Sequence, residues 1–340
     1  MTAHIREIED GARAHAYSGV LSIFAKERII YNNAFGYRST KDELPNTSET
    51  LFGIASGTKS FTALGIGQLI DQGQLTLATK VGDIDASYTG FIDPAATIQH
   101  LLTHTSGIFD YYDEELITDF DHYSVSIPWS ALETSADYWP LFVGQTKKFS
   151  PGERYSYSNG GFVFLGLLIE KITGQLYRDF MEKAVLRPAG MTRSGFYAFN
   201  DLPANTAYGY LSDLRTTNIY QLPMRGGGDG GMYTTTDDLR LFWQHFFADE
   251  IISPELRAQF LATHYAFDKK SGYGCGIYKE LDDSAFSLSG EDAGVSFYSR
   301  YYPREEISVN LLSNTADGVG AMRKVLVGQT EQMKKDLCGI

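Results

Sequence analysis

The chain has 340 residues, 43% hydrophobic and 21% charged, an ordinary balance for a folded protein and enough length for two closely joined lobes. Its formal net charge of −13 argues against nucleic acid or an anionic membrane surface as the main partner, and small substrates remain open. Residues 1–11 are charged throughout without an apolar h-region, and no apolar run approaches the roughly 20 residues of a membrane helix, so a cytoplasmic protein is expected.

Residues 17–25 and 28–38 read as two strands of a hairpin turning at Lys26-Glu27, with Val20, Leu21, Ile23, Ile29 and Ile30 as apolar content. The stretch 52–75 reads as helix, Gly73 supplying a stop signal. Further helices are expected at 96–102, 161–173 and 177–185, and a capped one at 237–247 behind Thr234-Thr235-Thr236. Short antiparallel strands follow at 273–278, 285–289, 295–302 and 307–313, then a last helix at 318–337. The early hairpin and late strands suggest an α+β fold, an antiparallel sheet flanked by helices with an inserted, mainly helical lobe. Residues 1–73 and 224–340 would carry the sheet, and 74–223 the helical lobe. Two cysteines, Cys275 and Cys338, are too few for a disulfide framework.

Two short motifs carry chemistry. In Ser56-Gly57-Thr58-Lys59 the serine and lysine lie three apart, which on a helix puts both on one face with Cβ atoms roughly 5–6 Å apart. A serine hydroxyl is a weak nucleophile until a base is held against it, and a lysine becomes that base when burial or a cationic neighbour lowers its pKa. The stretch 52–75 puts Ser56 near a helix N-terminus, where the dipole and free N–H groups favour developing negative charge. In Tyr157-Ser158-Asn159 the phenol can relay a proton and the amide can orient substrate. Together they suggest a serine hydrolase that forms an acyl-enzyme.

Read with their flanks, these motifs resemble the penicillin-binding protein and class C β-lactamase superfamily, which includes esterases and D-amino-acid peptidases. The flanks are Phe52-Gly53-Ile54-Ala55, Ile98 to Gly107 (IQHLLTHTSG), Phe149-Ser150-Pro151-Gly152-Glu153 and Gly230 to Leu239 (GGMYTTTDDL). The resemblance implies Ser56 as the acylated nucleophile, Lys59 as its proton acceptor or electrostatic partner, and Tyr157 as base or proton relay. Asn159 would orient the substrate. Which of lysine and tyrosine takes the first proton is left open. No metal or organic cofactor is implied.

The family's third element, a strand bearing Lys or His, a small residue and Gly, has two candidates. Lys270-Ser271-Gly272 matches the letters, but it precedes a segment that resembles the strand one earlier. Leu288-Ser289-Gly290 precedes the Glu291–Ser296 turn and is favoured. The substrate-binding set is then Asn159, Ser289, Gly290 and Glu291, with the Glu291 N–H as second oxyanion donor. Leu288 cannot anchor a carboxylate, and Glu291-Asp292 would repel one. An ester, an amide or a peptide with a free amino end therefore fits better than a β-lactam. The alternative is a weakly active or inactive sensor of the same fold, acylated without turnover; oligomeric state is left open.

Other motifs read as structural. His100 and His104 have zinc-ligand spacing but lack the HExxH glutamate and a third ligand. Gly226, Gly228 and Gly231 fit a dinucleotide fingerprint without its βαβ context, and more plausibly let the backbone approach a cleft. Tyr111-Tyr112 and Tyr138-Trp139 fit either cleft walls or core packing.

Overall fold

The structure of the chain is a computed structural model that describes residues 1–338, with side chains described through residue 334. Eight strands form one antiparallel sheet: β1 (Gly19–Ala25), β2 (Arg28–Phe35), β3 (Tyr265–Ala266), β4 (Ser271–Tyr273), β5 (Tyr278–Glu280), β6 (Phe286–Asp292), β7 (Val295–Tyr302) and β8 (Ile307–Ser313). Their order is β2-β1-β8-β7-β6-β5-β4-β3, so the first strand pairs with the last, Gly19 opposite Ser313 and Ala25 opposite Ile307. None of the eight comes from residues 74–223.

The helices used below are α1 (Thr2–Ala14), α2 (Thr58–Asp71), α3 (Asn159–Thr173), α4 (Thr236–Phe247) and α5 (Gly318–Cys338). Period-two alternation sorts the central strands between two layers. Leu21, Ile23, Ile307, Val309 and Leu311 pack with Ile8 and Ala12 of α1 and Met322 and Leu326 of α5. Val20, Leu288, Phe297 and Leu312 join the larger core with Phe61 of α2 and Phe242 of α4. One chain of buried polar residues ties α4 to the central strands. The Trp243 indole donates to Ser299 Oγ at 2.8 Å, Ser299 donates to Asn310 Oδ1 at 2.6 Å, and Asn310 Nδ2 donates to Ser22 Oγ at 3.1 Å. Among the described residues no helix is long and apolar enough to cross a membrane.

The expected α+β architecture is the one observed, with local differences. The 52–75 stretch is not one helix: Phe52–Gly53 is a short strand paired with Tyr233–Thr234, Ala55–Gly57 is a 3-10 turn, and α2 begins only at Thr58. The second hairpin strand stops at Phe35 because Gly36 turns into the left-handed region at φ +67°. Residues 273–278 are not one strand but span the turn between β4 and β5, with Gly276 at φ +77°. Helix α1 was not expected; Ile5, Ile8 and Ala12 supply its apolar stripe against α5 between charged neighbours.

Candidate active site

Ser56 sits in the turn that feeds α2, wedged between that helix and the sheet. Ala55, directly before it, holds φ +44°, a conformation a Cβ disfavours and that persists only where the surroundings impose it. The imposing contacts are backbone. A Cβ on Gly290 of β6 would stand 2.2 Å from Ile54 O, 2.6 Å from Gly57 N and 2.8 Å from Ser56 N. A Cβ on Gly57 would meet the Phe297 ring at 2.4 Å. Two glycines thus let the sheet press against the turn.

Lys59, one turn into α2, is 2% exposed. Its Nζ lies 2.8 Å from Ser56 Oγ, 2.7 Å from Asn159 Oδ1 and 2.7 Å from the backbone oxygen of Asp229. Burial holds its amine below the ordinary lysine range, opposed by the charges of Asp229, Glu114, Asp110 and Asp292. The Tyr157 ring passes with its centroid 5.0 Å from Nζ. Burial drives its phenol well above the ordinary tyrosine range, and contact with the Ser56 hydroxyl offsets only part of that.

The segment bearing Tyr157 and Asn159 is held from behind. His104, in the left-handed region at φ +57°, packs at a tilt against the Tyr157 ring, centroids 4.4 Å apart, and accepts the Ser158 N–H at Nδ1, 3.0 Å. Burial keeps its imidazole well below the ordinary histidine range. His100 closes a capping box with Thr97 at the start of Ile98–Leu102. Ser158 caps α3, and Asp110 accepts the next two orphan donors, Asn159 N and Gly160 N, both at 2.8 Å. The Asn159 amide is fully engaged: Oδ1 takes Lys59, and Nδ2 donates to Tyr112 O and Glu114 Oε1, each at 2.9 Å.

In front of Ser56 opens a cleft lined by residues of both the sheet-bearing ends and the helical middle. Tyr111, Tyr112, Trp129, Phe199 and Met224 form apolar walls, while Glu114, Asp229, Glu291 and Asp292 supply carboxylates; among the described residues no lysine or arginine lines it. Asp113 and Glu115 pair with Lys148, whereas Glu114 turns inward to Asn159. Tyr138 and Trp139 pack behind the cleft instead, Tyr138 edge-on to Tyr111 and Trp139 against Tyr88 and Phe91. Ser289, Gly290 and Glu291 lie on β6 beside Ser56, whereas Leu288 is 1% exposed in the core. Lys270 is exposed next to β4, two strands away, and does not line the cleft.

Asp292 accepts the Tyr112 hydroxyl at 3.2 Å and the Ala293 N–H at 2.9 Å. Burial, reinforced by the Asp229 and Glu114 charges, pushes its carboxyl up to about 7. In the unfolded chain an aspartate titrates near 4, so from about pH 4 to 7 only the folded state keeps the proton. The associated stability is complete below about pH 4 and lost as pH rises through about 7. Burial raises Asp110 in the same direction, also to about 7. The expected result is a melting temperature that falls by several degrees from pH 5 to 8, with a shallower fall in Asp292→Asn. Calorimetry across that range checks it, and parallel curves for the two proteins would remove the argument.

Sequence reasoning placed Ser56, Lys59, Tyr157 and Asn159 as candidates, and the fold brings them together. It passed over Asp110, Glu114 and Asp229. Only Asp229 carried a visible signal, as the single side chain within Gly226-Gly227-Gly228-Asp229-Gly230-Gly231. Among the described residues no group of His, Cys, Asp and Glu is arranged to hold a metal. Cys275 is buried, with its thiol pushed up to about 12, and the Cys338 side chain lies outside the described residues.

A family model described as Beta-lactamase matches residues 4–331. Penicillin-binding protein 4* of Bacillus subtilis (strain 168) is 32% identical over 254 residues, 70% of this chain and 54% of that protein. The chain thus spans about half the length of this relative, and 61% of the Staphylococcus aureus (strain N315) Protein flp, to which it is 24% identical. The crystal structure of a penicillin binding protein from Bacillus halodurans superposes with a TM-score of 0.89 at 35% identity, covering 94% of this chain and 99% of that one. A D-amino acid amidase from Ochrobactrum anthropi SV3, complexed with D-phenylalanine, shares the fold with a TM-score of 0.80 at 21% identity, covering 97% and 99%.

Proposed function

The chain belongs to the Beta-lactamase family, and from that premise we propose that it is a serine hydrolase acting on esters, amides or D-configured peptides through an acyl-enzyme at Ser56. The reading rests on one observation, the buried Lys59 amine 2.8 Å from Ser56 Oγ. A neutral amine has two hydrogens and one lone pair. Asn159 Oδ1 and Asp229 O accept the two hydrogens, so the lone pair is left for the Ser56 hydroxyl. Lysine lowered and tyrosine raised in pKa favour Lys59 as the first base.

In this scheme Ser56 Oγ attacks the substrate carbonyl carbon while its proton passes to Lys59 Nζ. The oxyanion is received by the N–H groups of Ser56 and Glu291, the first at the contact between Gly290 and the turn and the second on the residue that follows Gly290. Collapse breaks the bond to the leaving group, which takes a proton from the Tyr157 hydroxyl, itself resupplied from Lys59. Water then cleaves the acyl ester by the reverse relay. The reaction lies between the sheet-bearing ends, 1–73 and 224–340, and the helical middle, 74–223. Asn159 acts here by holding Lys59, and Ser289, Gly290 and Glu291 form the substrate edge.

Cleft charge narrows the substrate. With four carboxylates and no basic lining residue, the cleft opposes an anionic acyl group and accepts a neutral or ammonium-bearing one. D-phenylalanine p-nitroanilide is expected to give a kcat/KM at least about tenfold above its N-succinyl derivative, a gap that shrinks in high salt. Equal values for the pair would sink the charge argument.

The reaction itself is tested by intact-protein mass spectrometry after exposure to a fluorophosphonate, a β-lactam and a short-chain activated ester, with Ser56→Ala as control. Fluorophosphonate labelling confined to the unsubstituted protein, with ester turnover and little β-lactam adduct, is expected. No Ser56-dependent adduct with any reagent would remove the enzyme reading. A second reading, a sensor acylated without turnover, draws on Leu288 standing where relatives carry Lys or His; a long-lived β-lactam adduct would favour it.

A further inference from the structure

The loop Gly226–Gly231 lies behind Lys59, and three of its glycines, Gly226, Gly228 and Gly231, are required by contact. A Cβ on Gly228 would stand 2.2 Å from Phe162 O of α3, and one on Gly226 2.4 Å from the Gly231 backbone. Gly227 N–H donates to Gly230 O at 2.9 Å, and Thr62 of α2 donates to Gly228 O at 2.6 Å. Five glycines in six residues give the loop the greatest backbone freedom to lose, and its carbonyl at 229 must nevertheless stay 2.7 Å from Lys59 Nζ. Asp229 is the one residue there with a side chain. Its carboxyl accepts the Tyr111 hydroxyl at 2.6 Å, and both residues are under 10% exposed.

Resting on the hydrolase reading, we propose that Asp229 and Tyr111 are a positioning pair for Lys59, in which the phenol pins the carboxyl, the pinned residue aims its own carbonyl at Nζ, and the carboxylate sets the charge seen by the amine. In this role neither side chain touches Ser56 or the scissile bond. The other groups facing Lys59 are Asp110, Glu114 and Asp292, the neutral His104 ring and the Tyr157 phenol. Among the charges opposing the desolvation of Lys59, that of Asp229 is the largest.

The pair makes two separable predictions. Asp229→Asn keeps an acceptor for Tyr111 and so keeps the loop, but removes the charge. The acid limb of the fluorophosphonate labelling rate should then move down by about one pH unit, with a smaller loss of plateau than Asp229→Ala shows. Asp229→Ala removes anchor and charge together, and its plateau should also drop by about tenfold or more. Tyr111→Phe strips the carboxyl of its donor, favours its protonated form, and should move the limb in the same direction as Asp229→Asn. The double variant Asp229→Asn/Tyr111→Phe should add little to either single change.

Labelling is measured from pH 5 to 10 on the full chain, with melting temperatures to confirm folding. Alongside it, the Lys59 side-chain carbon resonance is titrated in lysine-labelled protein, with Lys59→Met to assign it. A lower Lys59 midpoint in Asp229→Asn and Tyr111→Phe supports the pair. An unchanged midpoint in both, or Asp229→Ala labelling like the unsubstituted protein, overturns it. The resonance reports on the pair even if labelling is absent, so failure of the hydrolase reading and failure of this inference give different results.

Discussion

Ser56→Ala is expected to lower ester turnover by roughly 10⁵ to 10⁶-fold and to abolish covalent labelling while leaving the fold intact. The hydroxyl removed contributes no packing that the turn depends on, because Gly290 and Gly57 set the turn through backbone and ring contacts. Lys59→Met should cost about 10³ to 10⁴-fold, the scale of losing a general base. It leaves Asn159 Oδ1 and Asp229 O without their buried donor, so some stability goes with it, about 1–3 kcal/mol for each unsatisfied group. Adding external amines to Lys59→Ala gives a sharper check, since a missing base can be partly supplied from solution and a missing scaffold cannot. Full activity in folded Ser56→Ala would end the assignment.

The second large effect is expected at a residue with no side chain. Gly290→Ala places a methyl 2.2 to 2.8 Å from three backbone atoms of the Ile54–Gly57 turn, none of which can swing aside. Strand β6 must retreat from the turn, and the two N–H groups proposed for the oxyanion then no longer converge. Losing one such donor costs about 10² to 10³-fold in kcat, and overpacking costs about 1–3 kcal/mol in stability. Gly320→Ala is the matched control: its Cβ would meet nothing within 4 Å and it lies in α5, where the change should be neutral or mildly stabilising. Gly290→Ala with undiminished labelling would show that the close approach of β6 is not needed for chemistry.

Much of this site was legible because its chemistry is written in short, ordered motifs. Ser56 and Lys59 are a helical turn apart, and Tyr157 and Asn159 flank one serine that caps α3, so local spacing is nearly enough to assemble them. The strands were legible where apolar content is dense, as in β7 and β8. What stayed hidden depends on contacts distant in the chain. Asp110 looks like any loop aspartate until α3 arrives with two unsatisfied N–H groups. Glu114 sits between two similar acids, and only the fold separates the pair that meets Lys148 from the one that meets Asn159. The 52–75 stretch misled because polar Thr58, Lys59, Ser60 and Thr62 are buried along with their apolar neighbours, and a two-residue strand pairing with Tyr233–Thr234 leaves no periodicity to read.

The pairing of the first strand with the last sets a timetable for biosynthesis. Gly19–Ala25 emerges early, but its central partner, Ile307–Ser313, follows nearly three hundred residues later. At about 5–20 residues per second the nascent chain must carry that unpaired apolar strand for roughly 15 to 60 seconds. Only the hairpin with Arg28–Phe35 can shelter it meanwhile, and an isolated two-stranded hairpin is marginal in water. Ribosome-bound chains halted before residue 307 should therefore recruit holdase chaperones and be cut readily by protease, whereas chains released past residue 313 should not.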